Sequence, residues 1–352
     1  MLVGIITANN LRFSPYAFFY INILDNLKIN YEVIVPNRNP KQNDTYEFKV
    51  RNFCWNQNQK SIINYYNYSN YAKKISVGRY DFLIVLTTIN GVFCYHWLKK
   101  HFNEKYILDI RDYTYERFKL YYYFEKKVIK ASKTTVISSP RFNIFLPKGN
   151  YLVAHNISTP KTMSEFKFEK KKGELIIGYI GAISYEQQCK KIIDLVNNDD
   201  RFRLHFYGTG IAEEKLKHYA QGTGNARICF FGAYKAEEKE EIIKKVDIIF
   251  NAYGNGVPLV DFALSNKLYD AIYYHKLLLT SPNTYMSEIG GPISCPLDMT
   301  DNNALNNLWE WYHQLDEELV NNYASNLYSI VLKENISVEK QIKNIFKRYN
   351  EK

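Results

Sequence analysis

Cysteine is scarce in this chain of 352 residues, and its five cysteines are scattered with no C-x-x-C pair. An odd number of dispersed cysteines argues against a disulfide framework and a cysteine-based zinc site, and favours a reducing cytoplasm. The seven histidines show no H-E-x-x-H spacing, so we expect no metal held by protein ligands. The G-x-G-x-x-G fingerprint is also absent, which counts against a nicotinamide-dependent dehydrogenase.

Long apolar runs are missing as well. The strongest candidate for a membrane span, residues 82–98, is interrupted by Thr87-Thr88 and Asn90-Gly91, and it reads better as a strand followed by a helix. Residues 1–8 are too short for the apolar region of a secretory signal, and no basic residue precedes them. We therefore expect a soluble or peripheral protein of the cytoplasm.

Acidic residues are few in the first half of the chain. Residues 1–160 carry 22 Lys and Arg against 10 Asp and Glu, a net charge of +12, whereas residues 161–352 carry 24 against 26, a net −2. Such an asymmetry suits an anionic partner of the first half, namely a nucleic acid, an anionic membrane or a phosphate-bearing substrate. A lysine-rich solvated surface is the alternative interpretation.

Short apolar runs alternate with helical patterns along both halves of the chain. Because the runs of Val, Ile, Leu and Phe lack polar alternation, they predict strands covered on both faces, and hence parallel sheets with crossover helices. The pattern restarts after a polar stretch at 158–173, which we interpret as an interdomain linker. The sequence thus predicts an α/β fold of two Rossmann-like domains facing across a cleft, at 1–157 and 174–335. A last helix at 336–352 is expected to pack back across the domains.

Three glycine-containing loops follow predicted strands in the second half: G-Y-I-G-A-I-S at 178–184, F-Y-G-T-G at 206–210 and F-F-G-A-Y at 230–234. Glycine lets the backbone approach a ligand closely, and the helix that follows offers free N–H groups at its amino end. Ligands of such sheets bind beyond the carboxyl ends of the strands, so these loops predict a binding site. Each loop alone would also fit an ordinary tight turn.

The segment S-N-K-L-Y-D-A-I at 265–272 opens a predicted helix that leads into the apolar strand 277–281. Its Lys267 and Asp270 lie three residues apart at the mouth of that helix. One interpretation is a binding site at the positive end of the helix dipole. The other is a plain capped helix with an exposed ion pair.

Taken in order, these segments resemble the retaining nucleotide-sugar glycosyltransferases of the GT-B fold, the group-one family that builds capsules and O-antigens. The resemblance is strongest over 176–289 and includes V-D-I-I-F-N-A-Y. It continues more loosely in S-P-Y-A-F-F-Y-I, L-D-I-R-D-Y-T-Y-E and V-I-S-S followed by H-N-I-S. It implies a UDP- or GDP-linked sugar as donor, no further cofactor, no metal, and transfer with net retention at the anomeric carbon.

The resemblance also implies roles for individual residues. In this family the acid of the corresponding helix holds the ribose hydroxyls, a role that falls here to Asp270, and Lys267 would neutralise the diphosphate. The chain departs from the family at Phe262, where a second acid is common beside the present Asp261. The remaining donor-binding residues that it implies are Gly181, Ala182, Lys190, Lys191, Tyr207, Gly208, Gly210, Gly232, Tyr234, Tyr253, Ser265, Asn266 and Leu268.

The segment R-D-Y-T-Y-E at 111–116 follows a predicted strand in the first half. In a glycosyltransferase, Asp112 would orient or deprotonate the acceptor hydroxyl, Glu116 would assist it, and Arg111 would meet phosphate. The alternative is structural: Asp112 or Thr114 caps a helix that begins at Glu116, and Arg111 forms a surface pair with Glu116.

The acceptor expected from the resemblance is a glycan carried on a polyprenyl diphosphate, extended at the inner face of the cell membrane. The excess positive charge of the first half would then meet an anionic membrane rather than a nucleic acid. The candidate contact carries Lys119, Lys126, Lys127, Lys130 and Lys133 with the aromatic run 121–124. Two other functions stay open, a nucleotide-sugar epimerase of the same architecture and a non-catalytic family member that acts as a binding partner.

Overall fold

The structure is a computed structural model that describes residues 1–38, 45–157, 166–224 and 226–350. Much of the predicted linker, residues 158–165, lies outside the described residues. The chain divides into two compact units. The first comprises Met1–Asn156 together with Lys333–Lys352, and the second comprises Ile157–Leu332.

The first unit is built on a parallel sheet of seven strands in the order β3-β2-β1-β4-β5-β6-β7. These strands are β1 (Leu2–Ile6), β2 (Asn30–Asn37), β3 (Lys49–Cys54), β4 (Phe82–Leu86), β5 (Tyr106–Ile110), β6 (Thr134–Ile137) and β7 (Tyr151–Val153). The helices are α1 (Ala17–Asn26), α2 (Ser61–Ser76), α3 (Thr88–His101) and α4 (Lys119–Ala131), with short 3-10 turns at Leu11–Phe13 and Pro140–Ile144.

The second unit repeats this plan with six parallel strands in the order β10-β9-β8-β11-β12-β13. These strands are β8 (Leu175–Ile180), β9 (Phe202–Tyr207), β10 (Ile228–Gly232), β11 (Ile248–Asn251), β12 (Leu277–Thr280) and β13 (Ser294–Pro296). Its helices are α5 (Glu186–Asn197), α6 (Glu213–Thr223), α7 (Lys239–Lys244), α8 (Pro258–Asp261), α9 (Asn266–Tyr274), α10 (Tyr285–Gly290) and α11 (Ala304–Gln314), with 3-10 turns at Ala236–Glu238 and Gly291–Ile293. The long helix α12 (Glu317–Asn350) follows.

The central strands of both sheets are buried on their two faces, as apolar strand runs require. Every residue of β4, Phe-Leu-Ile-Val-Leu, is buried, and so is every residue of β12, Leu-Leu-Leu-Thr. The predicted α/β fold class is therefore confirmed. Its consequence for function is geometric, because the carboxyl ends of parallel strands within each sheet meet at one edge.

The end of α12 completes the core of the first unit. Val338, Ile342 and Phe346 are buried there, and the ring of Phe346 meets Phe82 edge-on with centroids 5.3 Å apart. The helix is longer than the sequence pattern predicts, because no glycine or proline interrupts it from Glu317 onward. Across the described ranges, no helix is long and apolar enough to cross a bilayer.

Candidate functional site

The three glycine loops of the second unit come together at the carboxyl edge of its sheet. The amide of Gly181 donates to the carbonyl of Tyr207 at 2.8 Å, and the amide of Gly208 donates to the carbonyl of Gly232 at 2.7 Å. All three glycines have positive φ angles, of 118°, 127° and 73°. The loops predicted from the sequence thus form one backbone layer after β8, β9 and β10.

Gly208 and Gly210, both in the loop after β9, permit a backbone approach that no side chain allows. A Cβ atom on Gly208 would lie 2.0 Å from the carbonyl oxygen of Gly181, and one on Gly210 would lie 2.2 Å from that of Ile183. Ala182 is exposed on this layer, and its carbonyl accepts a hydrogen bond of 2.7 Å from the Tyr179 hydroxyl. The close approach fixes the layer, because either loop would have to move to accept a methyl group.

Helix α9 begins beside this layer and is tied to the sheet by Ser265. The Ser265 hydroxyl accepts from the amide of Lys267 at 3.3 Å and donates to Oδ1 of Asn251, at the end of β11, at 2.8 Å. Leu268 is fully buried, whereas Asn266 is exposed. Ser265 is thus the N-cap that sets the start of α9.

The Lys267 ammonium lies over two aromatic faces. Its Nζ is 5.0 Å from the ring centroid of Tyr179 and 5.1 Å from that of Tyr253, distances typical of cation–π contacts. A Cβ atom on Gly181 would lie 3.9 Å from the same nitrogen. Nζ makes no hydrogen bond or ion pair with any described residue. Burial lowers the pKa of Lys267 to about 8, against the opposing charge of Asp270.

A third tyrosine supports this arrangement. The ring of Tyr185 stacks on Tyr253 with centroids 4.1 Å apart and planes 8° from parallel. Tyr179 and Tyr185 were not among the residues predicted from the sequence, because tyrosine is abundant throughout the chain, although Tyr179 lies inside the first glycine loop and Tyr185 directly follows it. Their position near G-Y-I-G and before α5 was the signal available.

Asp270 does not form the exposed pair with Lys267 that the structural interpretation of this helix requires. Its Oδ1 instead accepts a hydrogen bond of 2.6 Å from Nζ of Lys239, at the start of α7, and its side chain is only 15% exposed. Burial raises the pKa of Asp270, and the charges of Lys239 and Lys267 oppose that rise. Tyr234 lies in the same electrostatic environment, and burial and Asp270 together raise its pKa to about 12.

Three predicted donor-binding residues are engaged elsewhere. Lys190 pairs with Glu186 at 2.8 Å, one turn away on α5, and lies over the ring of Tyr219. Lys191 lines a polar cavity with Arg201, which precedes β9 and so belongs to the opposite, amino edge of the sheet. Tyr207 stacks on Phe231 at 4.5 Å. The structure therefore groups Lys267, Asp270 and the glycine layer, but it does not bring Lys190 or Lys191 to them.

In the first unit, Arg111 is buried in a bidentate pair. Its Nε and Nη2 donate to the two carboxylate oxygens of Asp109 at 2.5 and 2.7 Å, and Nη1 donates to the carbonyl of Ala154 at 2.8 Å. The Tyr20 hydroxyl also donates to Asp109, at 2.5 Å. Neither the predicted phosphate contact of Arg111 nor a surface pair with Glu116 fits this geometry, because the side chain is buried at the end of β5 and each of its three nitrogens already donates within the first unit.

Glu116 is buried and accepts from the amide and hydroxyl of Thr114 at 2.5 and 3.1 Å. It faces the buried Glu125, and burial together with the Glu116 charge raises the pKa of Glu125 to about 9. Helix α4 begins at Lys119, after Phe118, rather than at the predicted Glu116, and neither Asp112 nor Thr114 caps it. The helix starts later than predicted because the Glu116 side chain accepts from the amide of Thr114, and the chain forms a turn there before α4 begins.

Asp112 is left exposed two residues beyond β5. Its carboxylate makes no hydrogen bond or ion pair within the part of the chain that the structure describes. Partial desolvation raises the pKa of Asp112, and the charge of Arg111 opposes the rise. Asp112 is thus the one predicted residue of R-D-Y-T-Y-E that stays available to an external hydroxyl in the described structure.

No metal-binding group of three or more His, Cys, Asp or Glu side chains occurs among the residues that the structure describes. No protein-family model matches the chain, and no curated protein matches it by sequence. Solved structures do match it over almost its entire length.

Three of these structures are glycosyltransferases or synthases. Sucrose-phosphate synthase from Thermosynechococcus elongatus has a TM-score of 0.73 and 11% identity, covering 99% of this chain and 98% of its own. HepE from Anabaena, in complex with UDP and glucose, has a TM-score of 0.70 and 12% identity, covering 99% and 100%. The lipopolysaccharide outer core galactosyltransferase WaaB, in its apo form, has a TM-score of 0.62 and 16% identity, covering 97% and 100%. At such identities the likeness shows the fold, which is the GT-B fold that the resemblance predicts.

The glycine layer generates a prediction about stability. Gly208→Ala should destabilise the second unit, by roughly 1–3 kcal/mol for the backbone conformation alone and more for the contact with the Gly181 carbonyl. Gly222→Ala is the matched control, because Gly222 lies in α6 with open space around it. Thermal unfolding should show a lower Tm for Gly208→Ala and an unchanged or slightly higher one for Gly222→Ala. Equal melting of the two variants would contradict the close approach.

Proposed function

We propose that the protein is a glycosyltransferase that takes a sugar from a UDP- or GDP-linked donor bound at the carboxyl edge of the second sheet. The observation that carries this proposal is the Lys267 ammonium, which is half-buried, lacks an anionic partner at hydrogen-bond distance among the described residues, and lies beside the glycine layer. A diphosphate would supply the anionic partner that Lys267 does not have among the described residues. The structural neighbours support the choice, since HepE was solved with UDP and glucose.

The donor would be held by groups that differ in chemistry. Lys267 would pair with the diphosphate, aided by the positive amino end of α9. The Asp270 carboxylate would accept hydrogen bonds from the ribose diol, and the glycine layer would allow the close approach of the phosphates.

The proposed reaction is electrostatic in character. The bond between the anomeric carbon and the diphosphate oxygen breaks, positive character develops on the sugar, and the leaving phosphate gains negative charge beside Lys267. The acceptor hydroxyl then attacks from the face that the phosphate has left and gives up its proton to the departing diphosphate, so that transfer occurs with net retention and requires no metal. Exclusion of water protects the donor from hydrolysis.

The donor site is tested by its charge. Lys267→Gln and Asp270→Ala should each weaken UDP or GDP binding by roughly 1.5–3 kcal/mol, the magnitude of a charge-assisted hydrogen bond, without unfolding the protein. Because Lys267 is charged below its pKa of about 8, wild-type affinity should fall as the pH rises through 8, by up to about tenfold per pH unit. Calorimetry between pH 6.5 and 9.5 measures both effects, and Lys267→Gln should lose the pH dependence.

Lys190→Gln is the matched control, because Lys190 is paired with Glu186 on α5. If Lys267→Gln and Asp270→Ala bind every nucleotide diphosphate as the wild type does, the donor site lies elsewhere. Binding without transfer to any acceptor would favour the binding partner, and an isomerised sugar nucleotide in the absence of acceptor would favour the epimerase.

We further propose that Asp112 acts on the acceptor. It lies at the carboxyl edge of the first sheet, just beyond β5, with a free carboxylate in the described structure. Asp112→Asn keeps the size of the side chain and removes its charge. Transfer should then fall by orders of magnitude while donor binding is retained, as measured by initial rates and by calorimetry on the same preparation. Unchanged turnover would remove Asp112 from the reaction.

The proposed acceptor is a glycan on a polyprenyl diphosphate, as in capsule or O-antigen synthesis, reached from the cytoplasmic face of the membrane. Support comes from residues 117–133, the basic segment, in which the single acid, Glu125, is fully buried. Apolar side chains accompany the cations, with Phe118 51%, Leu120 70% and Tyr123 52% exposed. The exposed cations of the segment are Arg117, Lys119, Lys126, Lys130 and Lys133.

The exposed apolar residues differ from the predicted run 121–124. The Tyr121 hydroxyl is turned toward α3, where it hydrogen-bonds Thr88 at 2.9 Å, so Tyr123 and Leu120 are the members of this helix that meet solvent. An exposed apolar stripe among cations is the composition of an interfacial helix. Each cation near an anionic surface contributes about 1 kcal/mol.

Membrane binding is measured by co-sedimentation with vesicles. Wild-type protein should bind vesicles of anionic lipid at low salt, and high salt or neutral lipid should release it. Lys126→Gln with Lys130→Gln should weaken binding by about 2 kcal/mol. The charge-matched control, Lys340→Gln with Lys347→Gln on exposed positions of α12, should not. Binding that ignores lipid charge and salt, or no binding at all, would favour a soluble acceptor.

A further inference from the structure

Asp270 is held by a lysine from a different part of the chain. Lys239 opens α7, and its Nζ lies 2.6 Å from Oδ1 of Asp270 in the middle of α9. Local partners were available on α7, since Lys244 pairs there with both Glu240 and Glu241 at 2.8 Å. The contact between Lys239 and Asp270 therefore links two helices that both follow strands of the same sheet.

The contact with Lys239 occupies only one of the two carboxylate oxygens of Asp270. Oδ1 accepts the hydrogen bond from Lys239, whereas Oδ2 accepts none from any residue that the structure describes. A carboxylate has room for about four hydrogen bonds, so Oδ2 keeps its full capacity. Lys239 is itself partly exposed, at 32%, and so remains within reach of a ligand at this edge.

We propose that Lys239 is a positioning residue for ribose recognition: it fixes and keeps ionised the Asp270 carboxylate, so that Oδ2 accepts from the ribose hydroxyls. This inference rests on the proposed function and adds to it a residue that the sequence pattern did not indicate. The Lys239 contact explains how a largely buried aspartate can stay ionised and so accept the hydrogen bonds that the ribose hydroxyls donate. A neutral carboxyl group would offer a donor where the diol also donates.

Among the described residues, four ionisable groups lie in the electrostatic environment of Asp270. Lys239 approaches from α7, Lys267 from the first turn of α9, and the phenols of Tyr234 and Tyr274 complete the surroundings. Burial raises the pKa of both tyrosines to about 12, so they stay neutral at physiological pH. Removal of Lys239 would leave Lys267 as the nearby cation of the described residues. The pKa of Asp270, which burial already raises, would then rise further because the opposing charge and hydrogen bond of Lys239 are lost. Ribose recognition would then weaken as the pH falls.

The experiment compares Lys239→Gln with Lys244→Gln, a substitution of the same type on the same helix and outside the site. Calorimetry at pH 6, 7 and 8 measures binding of UDP, 2′-deoxy-UDP and inorganic pyrophosphate, with the guanine nucleotides run in parallel. Wild type and Lys244→Gln should favour the ribonucleotide over its 2′-deoxy form by about tenfold at each pH, because one charge-assisted hydrogen bond distinguishes them.

Lys239→Gln should show a smaller preference than the wild type, with the largest shortfall at the lowest pH, while pyrophosphate, which has no ribose, follows the wild-type pH profile. Lys239→Arg keeps the charge and should restore the preference, which separates positioning from a general loss of structure. An unchanged ribose preference and pH profile in Lys239→Gln would overturn the inference while leaving the proposed function intact. If wild-type protein binds no nucleotide, the proposed function fails and this inference with it.

Discussion

The half-buried ammonium of Lys267 is the interaction on which the interpretation of the second unit depends. Burying a charge without an ionic or hydrogen-bonding partner costs free energy, and the protein responds by lowering the pKa of that group to about 8. The faces of Tyr179 and Tyr253 offset part of this cost through their negative quadrupoles. The remaining cost is what the proposed binding of a diphosphate would offset.

The backbone around Lys267 explains why the charge is held there rather than released to solvent. Ser265 ties the first turn of α9 to Asn251, and the glycine layer excludes side chains from the space beside Nζ. Both features depend on the parallel sheet, which brings the ends of β8, β9, β10 and β11 to one edge. A diphosphate would then meet a cation, a helix amino end and close backbone at the same place.

The sequence predicted those parts of the fold and site whose causes are local. Apolar strand runs and the restart of their pattern indicated two parallel sheets, and the G-Y-I-G and F-Y-G-T-G segments indicated the edge that carries the glycine layer. The Ser265 cap was readable because it lies two residues from the amide that it accepts from. The sequence indicated a last helix at 336–352 but did not reveal that α12 starts at Glu317.

Parts of the site with distant causes were not predictable. Lys239 and Asp270 are 31 residues apart, and only the packing of α7 and α9 against one sheet makes them partners. Arg111 looked available because it adjoins Asp112, but its true partner is Asp109, which lies inside β5 and reads as part of an apolar strand. Asp109 and Arg111 can pair because residues two apart along an extended strand point to the same face of the sheet.

The net charge of each half of the chain does not show how its positive charges are distributed. The second half is close to neutral, at −2, yet its candidate site gathers Lys239 and Lys267 around the single carboxylate of Asp270. The first half carries +12, and the excess of its basic segment is spread over an exposed surface in which the only acid is buried. Charges spread over an exposed surface are screened by salt and suit an extended anionic surface. Two cations that share one carboxylate at a partly buried site leave a net positive charge that is screened less, and this suits a compact anion. The two kinds of positive charge are thus consistent with the two different anionic partners proposed above, a membrane for the first unit and a nucleotide diphosphate for the second.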